Sequence, residues 1–197
     1  MTVAALVLAG GQARRLGGAD KALLDLGDRT VLTHVLARLV AQTETIAISA
    51  NGDPARFAAF RYPVLTDGAF AGQGPLAGLL AGLDWAAGQG ADALLSLPCD
   101  TPFIPADLAA RLAPAPACAA SLGRVHHLVA LWPVAARDAL RRLLEQPGAR
   151  DVKDFAAGLG ARAVAFPADP WDPFLNINTP DDLALARRIA ANQEGSR

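Results

Sequence analysis

Cysteine is almost missing from this 197-residue chain, which carries only Cys99 and Cys118. The two form no C-x-x-C pair and are too few for a disulfide framework, so a small cross-linked secreted scaffold is excluded and a reducing compartment fits. Net charge is equally scarce: 18 basic and 19 acidic residues leave a formal charge of -1. No long-range positive field exists to gather nucleic acid or an acidic membrane surface, and any anion must be bound locally. Although 52% of the residues are hydrophobic, no run approaches the roughly 20 apolar residues of a membrane span. The N-terminus also lacks the basic-then-apolar order of a signal peptide. The expectation is a soluble cytoplasmic protein with neither nucleic-acid nor membrane partners. Internal repeats and linkers are absent too, since the Pro114 to Pro116 stretch is only a turn. The length suits a single domain with a substantial core.

What is there is an alternation of elements. Thr2 to Ala9 is a continuous apolar run ended by Gly10 and Gly11, the pattern of a strand buried on both faces. Thr30 to Ala41 has helical spacing, and Glu44 to Ala50 reads as a second strand. A short helix over Pro54 to Phe60, a short strand over Pro63 to Thr66 and a helix over Pro75 to Ala87 follow, then a buried strand over Ala91 to Leu97. Pro105 is placed at the first position of a helix reaching Leu112. In the second half, Ala117 to Leu122, Leu128 to Val134 and Ala161 to Phe166 read as strands, and Ala135 to Glu145 and Arg150 to Leu159 as helices. In the stretch NTPDD, Thr179 caps a last helix with Asp182 at the capping-box position, and Asn192 to Arg197 is a frayed tail. This order predicts an α/β three-layer sandwich with a mostly parallel central sheet. Ligands of such sheets bind at the carboxyl ends of the strands.

Three strand ends carry polar residues. After the first strand, Gly10 and Gly11 allow backbone N–H groups to approach phosphate oxygens, with Arg14, Arg15 and Lys21 close behind. This is neither a Walker A loop, because Lys21 stands between Asp20 and Ala22, nor a dinucleotide fingerprint, because Gly10-Gly11-Gln12 does not supply G-x-G. A solvated surface loop is the bland alternative. In SLPCDTPFIP, Asp100 ends a buried strand, where a carboxylate can hold Mg²⁺ against phosphates or, equally, make an Asx-turn or cap before Pro102. In DPFLNINTPDD, the alternation of Asn176 and Asn178 points both amides to one face. Capping by Asn178 is the alternative.

Taken together, LAGGQARRLGGADK, SLPCDTPFIPADL and FLNINTPDDL resemble the molybdenum cofactor guanylyltransferase family, nucleotidyltransferases with a Rossmann-like fold. The opening match is Leu8, Ala9, Gly10 and Gly11, Arg15 before Leu16-Gly17, and Asp20-Lys21. Asn51 is similar to the family's guanine-side segment, although serine at 49 stands where asparagine is often found. Asp67 with Gly74, Pro75, Leu76 and Gly78 resembles the nucleotide-binding D…GPLAG element. His127 falls in a segment like the family's H-P-x-x-x-L strand, with leucine in place of the proline.

The resemblance implies transfer of GMP from GTP to the terminal phosphate of molybdenum-bound molybdopterin, with release of pyrophosphate. Arg15, Lys21 and Asp100 would be the catalytic residues, with Mg²⁺ on Asp100. The pterin would sit against His127, Arg150, Asn176 and Asn178. Residues 1–110 would then serve mainly the nucleotide and 111–191 mainly the pterin. Cofactor-delivery proteins or apo-molybdoenzymes would be transient partners. The rivals are a cytidylyltransferase or sugar-phosphate nucleotidylyltransferase of the same fold, against which Gly10 and Asp20 weigh, and a non-catalytic cofactor carrier, which has no need of Lys21 and Asp100 together.

Overall fold

A computed structural model describes residues 1–10, 20–148 and 151–194. Its nine strands among the described residues are β1 (Val3–Leu8), β2 (Asp25–Leu26), β3 (Arg29–Thr30), β4 (Ile46–Ser49), β5 (Val64–Leu65), β6 (Ala93–Pro98), β7 (Ala117–Ser121), β8 (Arg124–Pro133) and β9 (Arg162–Ala165). The helices are α1 (Val31–Leu39), α2 (Pro75–Gly88), α3 (Leu108–Leu112), α4 (Arg137–Glu145), α5 (Val152–Gly158) and α6 (Pro180–Glu194). Seven strands form one sheet in the order β5-β4-β1-β6-β8-β7-β9. Only β8 runs against its neighbours. The expected mostly parallel α/β sandwich is therefore what forms.

The continuous apolar run of β1 reflects its central place between β4 and β6. Ala5, Val7 and Ala9 face one core with α1 and α3, while Ala4 and Leu6 face a second with α2, α4 and α5. Burial on both faces removes the polar alternation of a half-exposed strand. Thr30 caps α1, its Oγ1 accepting the Thr33 N–H at 3.3 Å. Thr179 caps α6: its Oγ1 accepts the Asp182 N–H at 3.2 Å, and Asp182 Oδ2 accepts the N–H groups of Thr179 at 2.9 Å and Asn178 at 3.0 Å. The box closes with aspartate in the role usually given to glutamate. Among the described residues, no helix is long and apolar enough to cross a membrane.

Three expectations need correction. The helix after Pro105 begins only at Leu108. Gln42 explains the delay, because its Oε1 accepts the Ala109 N–H at 2.8 Å and its Nε2 donates to the Pro105 carbonyl at 3.1 Å. A side chain from another element thus satisfies the groups that a first helical turn leaves open. The strand expected from Leu128 starts at Arg124 and is kinked. Its pairing with β7 jumps from Cys118 opposite Ala130 to Ala119 opposite His126, so residues 127–129 bulge. The bulge is held from β6, where the buried Ser96 Oγ accepts from Trp132 Nε1 at 2.8 Å and donates to the Leu128 carbonyl at 2.9 Å. Finally, the tail expected from Asn192 is helical as far as Glu194.

Candidate active site

The carboxyl ends of β1, β4 and β6 open into a cavity of about 500 Å³, within the usual range for small-molecule sites. At one end lies the β6 terminus. Asp100 is 8% exposed, and its Oδ2 accepts a hydrogen bond from Lys21 Nζ at 2.9 Å. The same ammonium donates to Asn178 Oδ1 at 2.5 Å. The Asn176 amide lies against both Asp100 oxygens, and with its nitrogen turned to the carboxylate it donates to Oδ2 at 2.9 Å. The alternation of Asn176 and Asn178 does put both amides on one face, with Ile177 buried between them. Since Thr179 is the cap, the Asn178 side chain is free for Lys21. Nor is Asp100 spent on the turn before Pro102, where Thr101 Oγ1 donates to the Pro98 carbonyl at 2.8 Å instead. Burial pushes the Asp100 carboxyl above its ordinary range, while the Lys21 hydrogen bond and charge oppose the rise.

At the other end, Asn51 Nδ2 donates to Asp67 Oδ2 at 2.6 Å and Asn51 Oδ1 accepts the Asp67 N–H at 3.1 Å. Two short loops, after β4 and after β5, are thus locked together with the second carboxylate oxygen left over. Gly74 has φ +76° and opens α2, with Pro75 at its first turn. Gly78 is needed for close approach: a Cβ there would lie 2.5 Å from Ser49 Oγ and 3.2 Å from Leu8 Cδ2. Gly78→Ala gains helix propensity of about 1 kcal/mol, but overpacking typically costs about 1–3 kcal/mol. The expected result is a melting temperature several degrees lower. An unchanged or higher melting temperature would mean that Ser49 has room to move aside.

Leu8, Gly10, Lys21, Asn51, Asp67, Gly74, Pro75, Gly78, Asp100 and Asn176 all border this cavity, whereas His127, in the β8 bulge, does not. Ala9 and Leu76 are buried in the two cores and do not line it. Gly11, Arg14, Arg15 and Arg150 lie outside the described residues. Sequence reasoning missed Arg56, whose Nε is 3.4 Å from Asp20 Oδ2 and whose terminal nitrogen donates to the Asn51 carbonyl at 3.1 Å. This arginine ties the base of the Lys21 segment to the Asn51 loop, and nothing in PARFAAF marks it for that. Cys99 borders the cavity too, but burial, with the charges of Asp100 and Asp20, holds its thiol well above the ordinary range. It is a packing residue rather than a nucleophile.

A metal must be judged by the same donors. Among the described residues no group of three His, Cys, Asp or Glu side chains could hold one alone. The buried Asp100 carboxylate and the two amides, whose oxygens can turn toward a cation, make a hard oxygen set. Such a set fits an ion that arrives with phosphates and keeps part of its water.

The sequence model of the MobA-like NTP transferase domain matches residues 5–160. The chain belongs to this family. MobA-like relatives cover nearly all of it. One, the molybdenum cofactor guanylyltransferase of Acidiphilium cryptum, is 63% identical over 92% of each chain. The enzyme of the same name from Rhodopseudomonas palustris is 49% identical over 94% of this chain and 93% of its own. Molybdopterin-guanine dinucleotide biosynthesis protein A from Archaeoglobus fulgidus is similar in fold, with a TM-score of 0.71 at 24% identity, over 95% of this chain and 98% of that one.

Proposed function

We propose that this protein transfers the GMP moiety of GTP to the terminal phosphate of molybdenum-bound molybdopterin. An oxygen of that phosphate attacks the α-phosphorus of GTP, the bond from the α-phosphorus to the bridging oxygen breaks, and pyrophosphate leaves. The observation that carries this reading is the polarity of one cavity. A locked amide–carboxylate pair, Asn51 with Asp67, lies at one end, and a lysine bridging a carboxylate and an amide, Lys21 with Asp100 and Asn178, lies at the other. Close relatives that share nearly the whole chain are named for this activity.

A phosphate monoester is largely dianionic at neutral pH, so the acceptor needs no general base. The protein's task is to position two anions and offset their charge. Asp67 keeps one oxygen for the base, and guanine offers two adjacent N–H donors on one edge where cytosine offers a single amino group. The open space beside Gly10, where a Cβ would meet nothing within 4 Å, leaves its backbone free to meet phosphate. Lys21 would pass from Asp100 to the triphosphate, and Asn176 and Asn178 would meet the pterin phosphate. A divalent ion on Asp100, Mg²⁺ in this reading, would supply further neutralisation of phosphate charge.

Thermal stabilisation by each nucleotide tests the base assignment, because a ligand at free concentration L that binds only the folded state stabilises it by RT ln(1 + L/Kd), more at equal concentration the tighter it binds. With Mg²⁺ present, GTP is expected to raise the melting temperature more than CTP, ATP or UTP. A larger shift with CTP would overturn the guanine assignment, and absence of pyrophosphate release when the pterin is added would favour a carrier.

A further inference from the structure

The loop that presents Asn176 and Asn178 is fastened at both ends. At its far end the Ile177 N–H donates to the Asp100 carbonyl at 3.1 Å. At its near end a relay holds Asp172: His126 Nε2 is 2.8 Å from Ser121 Oγ, and Ser121 Oγ is 2.7 Å from Asp172 Oδ1. A carboxylate only accepts, so the single serine hydrogen goes to Asp172 and His126 donates its Nε2–H to the serine oxygen. Asp172 Oδ1 also takes the Phe174 N–H at 3.0 Å. Phe174, 2% exposed, is wedged between the His126 ring at 5.0 Å and the Phe166 ring at 5.2 Å between centroids.

Serine, histidine and aspartate together suggest a nucleophilic triad, but the order of the bonds excludes it. In a triad the serine gives its proton to histidine, which aspartate orients; here the serine proton goes to aspartate. Ser121 is itself 4% exposed. The relay joins the end of β7, the start of β8 and the 172–178 loop at the carboxyl edge of the sheet, and it shares no residue with the Asn51–Asp67 pair.

We propose that Ser121, through Asp172 and with His126 behind it, is a positioning residue for the acceptor phosphate: the relay fixes where the 172–178 loop leaves the sheet, and so where Asn176 and Asn178 meet Asp100 and the acceptor. This role rests on the assignment of the cleft to nucleotidyl transfer. It is specific to one substrate, because the base end of the cavity is built from other loops.

The test uses Ser121→Ala and Asp172→Asn in the full chain, each followed by thermal melting, hydrogen exchange at residues 174–177, and kinetics with GTP and the pterin varied separately. Alanine removes the link, whereas asparagine keeps an oxygen that can accept from both Ser121 and Phe174. Ser121→Ala is expected to speed exchange at Phe174 and Ile177 and to lower kcat/KM for the pterin about 10- to 100-fold, the scale of a reactant misplaced by about 1 Å. KM for GTP should stay within about twofold, and Asp172→Asn should behave nearly as the parent. Unchanged exchange overturns the relay. Faster exchange with unchanged pterin kinetics, or with equal losses for both substrates, overturns the positioning role. A parent protein without GMP transfer defeats the assignment of the cleft and this role with it, while the exchange result still judges the relay. Should Ser121→Ala fail to fold, Asp172→Ala removes the acceptor shared by Ser121 and Phe174 and carries the same expectations.

Discussion

Lys21→Ala is expected to lower turnover about 10²- to 10³-fold, by analogy with the loss of a donor that stabilises developing charge. The lysine is no loose surface cation, since its side chain is 13% exposed and holds Asp100 and Asn178 at once. That arrangement also complicates the experiment. Removing one partner of a buried ion pair leaves the other uncompensated, at a cost of about 3–5 kcal/mol for fully buried pairs. Here Asn176 still faces the carboxylate, and protonation of Asp100, already favoured by burial, limits the penalty. The variant should therefore melt lower yet remain folded at assay temperature. Turnover is to be measured at saturating GTP and pterin, beside a melting curve, with Lys21→Arg as a second variant. Arginine keeps the charge, so partial recovery of rate is expected. Near-parental turnover in the alanine variant would reduce Lys21 to a partner of Asp100 and return the glycine loop to an ordinary surface connection.

The residues of this site were legible where the fold rule alone places them. Gly10 and Asp100 each follow a strand that ends at the same sheet edge, so expecting parallel strands was enough to bring them together, whereas Asn51, after β4, was singled out by the family resemblance and not by the fold rule. The gaps have a common physical cause. The β2–β3 hairpin has strands of two residues each, too short to show any period, although Gly27-Asp28 is a turn signal. It is held from outside, by Leu26 and Val31 packing with Ile177, Ala186 and Ile189 of the α6 region. The bulge in β8 answers to Ser96 on another strand, and the Ser121–His126–Asp172 relay joins positions up to 51 residues apart. Such contacts leave no local pattern. They are set by side chains that become neighbours only after the sheet has formed.

Asp100→Asn separates charge from shape. A turn or cap needs only an acceptor oxygen, which asparagine retains, whereas a metal against phosphates needs the negative charge. Asparagine can still accept from Lys21, and burial already disfavours the charge it removes, so the melting temperature should fall less than in Lys21→Ala, although the ammonium is left without its counter-charge. Turnover should fall by about 10²-fold or more, on the scale of losing a main electrostatic stabiliser, and the remaining rate should need far more Mg²⁺ or Mn²⁺ to saturate. Because Lys21 would lose its ion pair without losing its hydrogen bond, the defect should not be mimicked by Lys21→Ala, which leaves the metal ligand in place. The two variants therefore part in their metal dependence even where their rates coincide. If the asparagine variant keeps the parental rate and the parental response to metal, Asp100 serves only to hold Lys21, and the carboxylate that meets the ion must be sought across the cavity at Asp67.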